Sequence, residues 1–280
     1  MRFPVSLADV TGLQAGLDAR LLSASNLSDL ASAATARANL GIGTGFATFL
    51  PTDIAGLTQW LDAGRMFGVA DGAAVTSWRD MSGNARDYSQ ATTAKKPTRQ
   101  LNIQNGLPGV LFDGVDDYLD GAAVSATHTV GAFSDFVVFK PRVLNNATGS
   151  YTGESVLTTA SGGNWGLTVK SDLTFDAYHW DGSYDLLTVA GVIGENVASL
   201  VELHHDTGNL IVRANDSPDL TVASGNSGSN SETNRIGARY NVNGGFFDGW
   251  IMERCTWNRA LTWAERTKVM GYLRAKYNTP

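Results

Sequence analysis

The chain of 280 residues has a formal net charge of −6, with 27 acidic residues against 21 basic ones. Because the basic residues are scattered, the long-range field repels a phosphate backbone, which argues against a nucleic-acid partner. No apolar run reaches the ~18 residues of a membrane-spanning helix, and the first residues lack the apolar run of a signal peptide, so we expect neither membrane insertion nor Sec export. A charged fraction of 17% and 31 glycines favour short strands joined by many turns.

The first 50 residues contain neither Trp nor Tyr and cannot build a core alone. One apolar stripe of a helix is predicted from four positions spaced by 3, 4 and 4 residues: Val10, Leu13, Leu17 and Leu21. A second helix is predicted from about Ser32 to Leu40, where Ser32 caps the first turn and Gly41 ends the last one. A single stripe needs a partner, so residues 1–50 are predicted to be a helical attachment and oligomerisation segment.

Two phrases in this segment resemble bacteriophage tail-fibre proteins. Residues 26–42 read NLSDLASAATARANLGI and resemble the linkers of such fibres. Residues 9–19 resemble a second fibre phrase, which recurs loosely at residues 53–63 with the shared pattern D-[VI]-x-G-L-x-x-x-L-D-A. The alternative is that short segments rich in Ala, Leu and Asp look alike by chance.

The resemblance implies a protein of a phage or phage-like particle, assembled in the host bacterial cytoplasm and displayed on the virion surface. Residues 1–50 would then contact other virion proteins and further copies of the same chain. Fibre proteins are commonly trimers, although so short a stripe does not fix the number of copies. Whether the mount is on the head or on the tail is left open.

Residues 51–280 alternate short apolar runs with Gly, Asn, Asp and Ser clusters, at the spacing of a β-sandwich. The strand candidates are residues 109–112, 135–140, 165–170, 173–178, 198–204, 210–214, 234–238 and 249–257. Residues 206–209 predict a hairpin turn between two of them. Thr262 and Glu265 form a capping-box pattern that starts a C-terminal helix, with Val269, Tyr272 and Leu273 on its packed face. The single Cys255 is expected to be a buried, inert thiol.

Several phrases in this region, taken in order, resemble concanavalin A-like, laminin-G-like jelly-roll domains. They are Gly56-Leu57 with residues 60–63 (WLDA), residues 75–84 (VTSWRDMSGN), residues 96–98 (KPT), residues 112–119 (FDGVDDYL) and residues 257–262 (WNRALT). The resemblance implies an all-β sandwich of two antiparallel sheets over residues 51–280, with one C-terminal helix. Jelly rolls occur among lectins and viral capsid proteins, and the fold alone does not settle the function.

The acidic residues favour structural roles over catalysis. A retaining glycosidase needs two carboxylates about 5 Å apart, and no E-x-D-x-E pattern supplies them, so no catalytic residue is assigned. Asp113, Asp116 and Asp117 suit turns; a calcium ion there would need six to eight oxygens and is left open. His204 and His205 are adjacent on a strand, so their rings would diverge rather than bind one metal ion. We therefore expect no cofactor and assign no metal site.

The best binding candidate is the run from Tyr178 to Tyr184, which has the composition of a loop displaying aromatic rings beside polar groups. Aromatic faces can pack on the C–H side of a sugar while a carboxylate and a hydroxyl bond its hydroxyl groups. The predicted glycan-binding residues are Trp165, Tyr178, Trp180, Asp181, Ser183 and Tyr184. The alternative is that these aromatics are partly buried rim residues. A second candidate is the polar loop at residues 224–231.

Together these features favour a non-enzymatic virion fibre or spike, mounted by its N-terminus on tail or capsid, with a lectin-like head that binds host-surface glycan. One alternative is a head or tail decoration protein without a receptor. A second alternative is a glycan-degrading enzyme.

Overall fold

Alternating apolar and polar residues along the strands build a sandwich of two antiparallel sheets. The computed structural model describes residues 49–128, 132–144, 154–159, 165–180, 183–225, 232–239 and 241–280. The predicted N-terminal helices and the stripe of Val10, Leu13, Leu17 and Leu21 lie outside these residues. The attachment segment therefore stays a prediction.

Strands are numbered along the chain, and each sheet is given in spatial order. The first sheet consists of β14 (Leu220–Ala223), β13 (Asn209–Ala214), β12 (Ser199–Asp206), β7 (Ala132–Pro141), β16 (Asp248–Trp257), β5 (Leu107–Asp113) and β4 (Thr98–Gln104), and β1 (Leu57–Asp62) also pairs with β16. The second sheet consists of β11 (Tyr184–Ala190), β10 (Thr174–Trp180), β9 (Trp165–Val169), β8 (Glu154–Thr159), β15 (Thr233–Ile236), β6 (Leu119–Ala123), β3 (Tyr88–Ser89) and β2 (Ser77–Trp78).

Two α-helices and three short 3-10 helices complete the described part of the chain. The α-helices are α1 (Val124–Thr127) and α2 (Trp263–Tyr277), and the 3-10 helices are Pro51–Asp53, Ala63–Arg65 and Thr93–Lys95. None of the helices in the described residues is long and apolar enough to cross a membrane.

The core lies between the two sheets. Val137, Phe139 and Ile251 from the first sheet and Leu167 and Phe175 from the second have no solvent exposure and belong to one apolar cluster. Burying each of these side chains contributes roughly 1.5–3 kcal/mol. The predicted all-β, two-sheet jelly-roll class is confirmed, and each of the eight predicted strands overlaps an observed one.

A buried ion pair lies within this core. Arg254 of β16 donates from Nε to Asp135 of β7 at 3.0 Å, and its guanidinium also bonds the hydroxyl of Tyr88 on β3, in the opposite sheet. Both charged residues are 1% exposed. Burial, opposed by Arg254, raises the pKa of Tyr88 to about 12, so the phenol is neutral at physiological pH. Through its contact with Tyr88, Arg254 therefore ties the two sheets together by polar contacts in the interior.

The helix α2 packs on the outer face of the first sheet, as predicted. Thr262 Oγ1 accepts from the Glu265 backbone N–H while the Glu265 carboxylate accepts from the Thr262 N–H, which completes the capping box. Val269 and Leu273 are fully buried, and Arg266 donates to Glu202 on β12 at 2.9 Å. Glu202 alternates with the core residues Val201 and Leu203, so it faces away from the core and toward the helix.

The second copy of the repeated phrase, residues 53–63, is largely a strand. Gly56 adopts a left-handed conformation with φ of 89°, and the residues that follow form β1, which pairs with β16 of the first sheet. The first copy, residues 9–19, is predicted as a helix and lies outside the described residues. The sequence pattern that the two copies share is therefore not evidence that they have the same structure.

Candidate functional site

The run from Tyr178 to Tyr184 is a β-hairpin end and not the loop that its composition indicates. Tyr178 and Trp180 belong to β10, Tyr184 begins β11, and Trp180 pairs with Tyr184 as the last register pair before the tip. The strand extends because the aromatic residues favour the pleated conformation, which outweighs the turn-forming residues beside them. The tip residues 181–182 are outside the described residues, so the predicted role of Asp181 stays a prediction.

Three aromatic side chains, Tyr178, Trp180 and Tyr184, lie together on the outer face of the second sheet; we call them the hairpin aromatic cluster. Trp180 and Tyr184 are 37% and 38% exposed, whereas Tyr178 is only 4% exposed. The centroids of the Trp180 and Tyr184 rings are 4.6 Å apart with planes at 60°, and those of Tyr178 and Tyr184 are 5.8 Å apart at 81°. The rings of Trp180 and Tyr184 thus form an open corner above a buried Tyr178.

The floor of this cluster is closely packed. Gly166 on β9 pairs with Tyr178, and a Cβ atom at Gly166 would lie 2.5 Å from the Tyr178 hydroxyl. The same hydroxyl lies 3.3 Å from Thr158 Oγ1. Two strand residues further along the same face, Asp176 accepts hydrogen bonds from Lys170 at 2.8 Å and Thr188 at 2.7 Å. The carboxylate on this face is therefore neutralised by a lysine.

Trp165 does not join the cluster. It pairs with His179, and side chains of adjacent strand residues point to opposite faces, so Trp165 points into the core. It is 2% exposed and its ring lies 4.6 Å from His128 and 5.7 Å from Phe133, measured between centroids. Of the predicted set, the structure brings Tyr178, Trp180 and Tyr184 together, places exposed Ser183 directly before β11, and separates Trp165 by the thickness of the sheet.

The carboxylates of Asp113, Asp116 and Asp117 converge in the turn after β5. Their oxygens lie within 4.8 Å of one another. Asp113 accepts from the backbone N–H groups of Val115 and Asp116, and Asp117 accepts from that of Asp113, as expected for a structural turn. Burial, and then the neighbouring Asp113 carboxylate, raise the pKa of Asp117 to about 7. These three groups are the described residues best suited to hold a divalent cation.

The adjacent histidines diverge, as predicted. His204 lies on the outer face of the first sheet, 2.8 Å from Ser134 Oγ, and burial lowers its pKa to about 4. His205 points inward, 3.2 Å from Ser224 Oγ. Ser224, part of the second predicted loop, is itself buried, while residues 226–231 lie outside the described residues.

Cys255 is buried, which raises the pKa of its thiol well above the ordinary value, as expected for an inert cysteine.

No protein-family model and no curated protein matches the chain. Solved structures do match it. The fourth domain of an extracellular arabinanase from Geobacillus stearothermophilus, solved in complex with arabinotriose, has a TM-score of 0.53 and 13% identity, covering 76% of this chain and 98% of that domain. Trypanosoma rangeli sialidase in complex with sialic acid has a TM-score of 0.52 and 15% identity, covering 78% of this chain and 33% of the enzyme.

A third similar structure is of botulinum neurotoxin type C, whose cell entry depends on interaction with two ganglioside molecules. Its TM-score is 0.56 at 14% identity, covering 79% of this chain and 52% of that one. The chain thus spans about half the length of this toxin structure and of the similar binding domains of botulinum neurotoxin D and of a paraclostridial mosquitocidal protein. At such identities the similarity establishes the β-sandwich fold and leaves the function to the site.

Proposed function

We propose that residues 51–280 form a glycan-binding head, and that the hairpin aromatic cluster is its binding site. The observation that carries this proposal is the open corner formed by Trp180 and Tyr184 on the outer face of the sheet. Aromatic side chains beside a small number of polar groups are the usual lining of a ligand site.

The geometry of the corner suits a sugar ring. With the planes of Trp180 and Tyr184 at 60°, one ring can lie flat against the C–H face of a pyranose while the other contacts its edge. We propose that the hydroxyl groups of Tyr184 and Ser183 bond sugar hydroxyls. Since Lys170 neutralises Asp176 beneath the cluster, we propose a neutral sugar residue as the direct contact.

The structural neighbours support this proposal as a class, because the arabinanase domain was solved with arabinotriose, the sialidase with sialic acid, and the neurotoxin interacts with gangliosides. Each of those ligands is a saccharide or carries one. A sandwich of this architecture is therefore a suitable scaffold for recognising glycans.

We further propose that the head binds without catalysis. Among the described residues, three strand carboxylates are held in ion pairs: Glu202 by Arg266, Glu253 by Lys276 and Asp135 by Arg254. Each of these carboxylates is 1% exposed or less. Their burial and pairing argue against a role for these three carboxylates in protonating a glycosidic oxygen.

Residues 1–50 are proposed to mount this head on a phage or phage-like particle as a homo-oligomer, most simply a trimer. The support is the tail-fibre wording of residues 26–42 and the apolar stripe at Val10, Leu13, Leu17 and Leu21. Symmetric copies would convert weak single-site binding into avidity. Sedimentation of the full chain, and of a Leu13→Asp, Leu17→Asp variant that should be monomeric, tests the oligomer.

A glycan array probed with the full chain tests the binding site. Trp180→Ala should remove every signal, while Trp263→Ala, which deletes a tryptophan that is 55% exposed at the start of α2, should leave the signals unchanged. Two results together would favour the decoration role instead. The wild-type protein would give no signal on the array, and particles that lack the protein would adsorb normally but lose heat tolerance. Release of reducing sugar from host capsule would favour an enzyme.

A further inference from the structure

A short hydrogen-bond chain joins the two sheets on the inner side of the hairpin that carries the aromatic cluster. His179, between Tyr178 and Trp180 on β10, places Nδ1 2.8 Å from Ser224 Oγ, directly after β14. The same hydroxyl lies 3.2 Å from Nε2 of His205 on β12. The two imidazole centroids are 4.6 Å apart, and all three residues are buried. One serine therefore links β10 of the second sheet to β12 of the first.

The protons in this chain have a defined order. The backbone N–H of Thr207 donates to His205 Nδ1 at 3.3 Å, so the proton of the neutral ring is on Nε2 and is donated to Ser224 Oγ. The hydroxyl proton of Ser224 is then left to be donated to His179 Nδ1. Both histidines act as acceptors at Nδ1, so this arrangement requires both rings to be neutral.

The surroundings provide a different partner for a protonated His179. Asp185 stands directly opposite His179 in the register of β10 and β11, and both side chains point inward. Asp185 Oδ2 is buried and has no hydrogen-bond partner among the residues that the structure describes. On the other side of His179, Trp165 is its register partner on β9, and the Trp165 ring contacts His128 and Arg254. Phe133 stacks on His205.

We propose that His179, Ser224 and His205 form an acid-sensitive latch that controls the order of the hairpin aromatic cluster. A proton taken up at His179 Nδ1 ends the bond donated by Ser224, and the Asp185 carboxylate, a stronger acceptor than the serine oxygen, draws the imidazolium toward itself within the same hairpin. The hairpin then loses this hydrogen-bonded link to the first sheet, so the cluster is ordered near neutral pH and mobile in mild acid. Only the consequence for ligand binding rests on the proposed function.

Hydrogen exchange of the full chain, followed by mass spectrometry on peptides from residues 174–190, tests the latch without any ligand. After correction for the intrinsic pH dependence of exchange, we expect these amides to exchange at least ~5-fold faster at about pH 5 than at about pH 7.5. In the double variant His179→Asn, His205→Gln, whose amides can make the same two bonds to Ser224 but do not titrate, the change should stay below about 2-fold. His204→Gln, on the opposite face of β12, should respond like the wild type.

Asp185→Asn provides a second variant that removes the acid-state partner while keeping both histidines. Its hairpin should require a lower pH for the same increase in exchange, because the imidazolium of His179 loses its carboxylate. Equal exchange in the wild type at both pH values, or an unchanged acid response in the double variant, would overturn the latch. Neither result changes what the glycan array is expected to show at neutral pH. An array without binding signals likewise leaves the expected hydrogen exchange unchanged, so the two proposals can fail independently.

Discussion

Trp180 and Tyr184 stand directly opposite each other in the antiparallel register of β10 and β11, with ring centroids 4.6 Å apart and planes at 60°. Both strands are hydrogen-bonded up to this pair, so the two rings are held by the backbone rather than by a free loop. Such preorganisation lowers the entropic cost of binding a ligand between them.

Substitutions at Tyr184 separate the contribution of its ring from that of its hydroxyl group. Tyr184→Ala should weaken binding to any glycan-array hit by about 10-fold or more, because it removes one wall of the corner. Tyr184→Phe keeps the wall and should lose no more than about 5-fold, the range of one hydrogen bond to a neutral group. Titration calorimetry with the selected saccharide measures both, and equal affinities for all three proteins would remove Tyr184 from the site.

The sandwich could be predicted from the sequence because its determinants are local. The strand of residues 249–257 and the capping box of Thr262 and Glu265 are each contained in a few consecutive residues. The hairpin tip was harder to predict, because Tyr178 to Tyr184 mixes strand-forming aromatics with turn-forming residues. Composition favoured a loop, whereas pairing with β9 extended the strand.

The contacts around the candidate site could not be predicted from the sequence. Whether Trp165 shares a face with Trp180 depends on the register between β9 and β10, and a shift of one residue reverses the answer. In the hydrogen-bond chain, Ser224 bonds His179, which lies 45 residues earlier, and His205, which lies 19 residues earlier. Contacts of this kind depend on the sheet order, which no local pattern specifies.

Gly166 should be intolerant of any side chain. In Gly166→Ala the new Cβ atom would meet the Tyr178 hydroxyl at 2.5 Å and the Leu157 carbonyl oxygen at 2.9 Å. Relief requires Tyr178 to move, so we expect a loss of about 1–3 kcal/mol in unfolding free energy and weaker glycan binding. Gly208→Ala is the matched control, since nothing lies within 4 Å of its added Cβ. Thermal melts in which both variants behave alike would show that β9 and β10 are less tightly packed than described.

The ion pair of Arg254 and Asp135 should be far more sensitive to loss of one partner than to loss of both. Arg254→Met leaves the buried Asp135 carboxylate unpaired and is expected to cost about 3–5 kcal/mol of unfolding free energy. The double variant Arg254→Met, Asp135→Leu should lose less than this single variant, because no buried charge remains. Urea denaturation of the wild type, both single variants and the double variant measures the coupling, and strictly additive losses would contradict it.

Asp117 should make the protein less stable as the pH rises through neutrality. Burial and the Asp113 carboxylate raise the pKa of Asp117 to about 7, above the ordinary value of 3.8, so the folded state binds this proton more tightly than the unfolded state. The resulting stabilisation is complete below about pH 4 and is lost as the pH rises toward and through about 7. Asp117→Asn, which can still accept from the Asp113 N–H, should therefore be more stable than the wild type at about pH 8 by about 1–2 kcal/mol, after allowance for solvent screening of the turn.

The same variant tests the calcium alternative, because a divalent cation bound by Asp113, Asp116 and Asp117 would compete with the proton. If calcium binds there, adding it at about pH 8 should raise the melting temperature of the wild type and have little effect on Asp117→Asn, with magnesium as the control cation. If it does not bind, the variant alone should restore stability and calcium should leave both melting curves unchanged. Without added metal, the melting temperature of the wild type could instead stay constant from about pH 5 to about pH 8. That result would contradict the raised pKa of Asp117, and with it the repulsion between the Asp113 and Asp117 carboxylates on which the expectations for Asp117→Asn and for calcium depend.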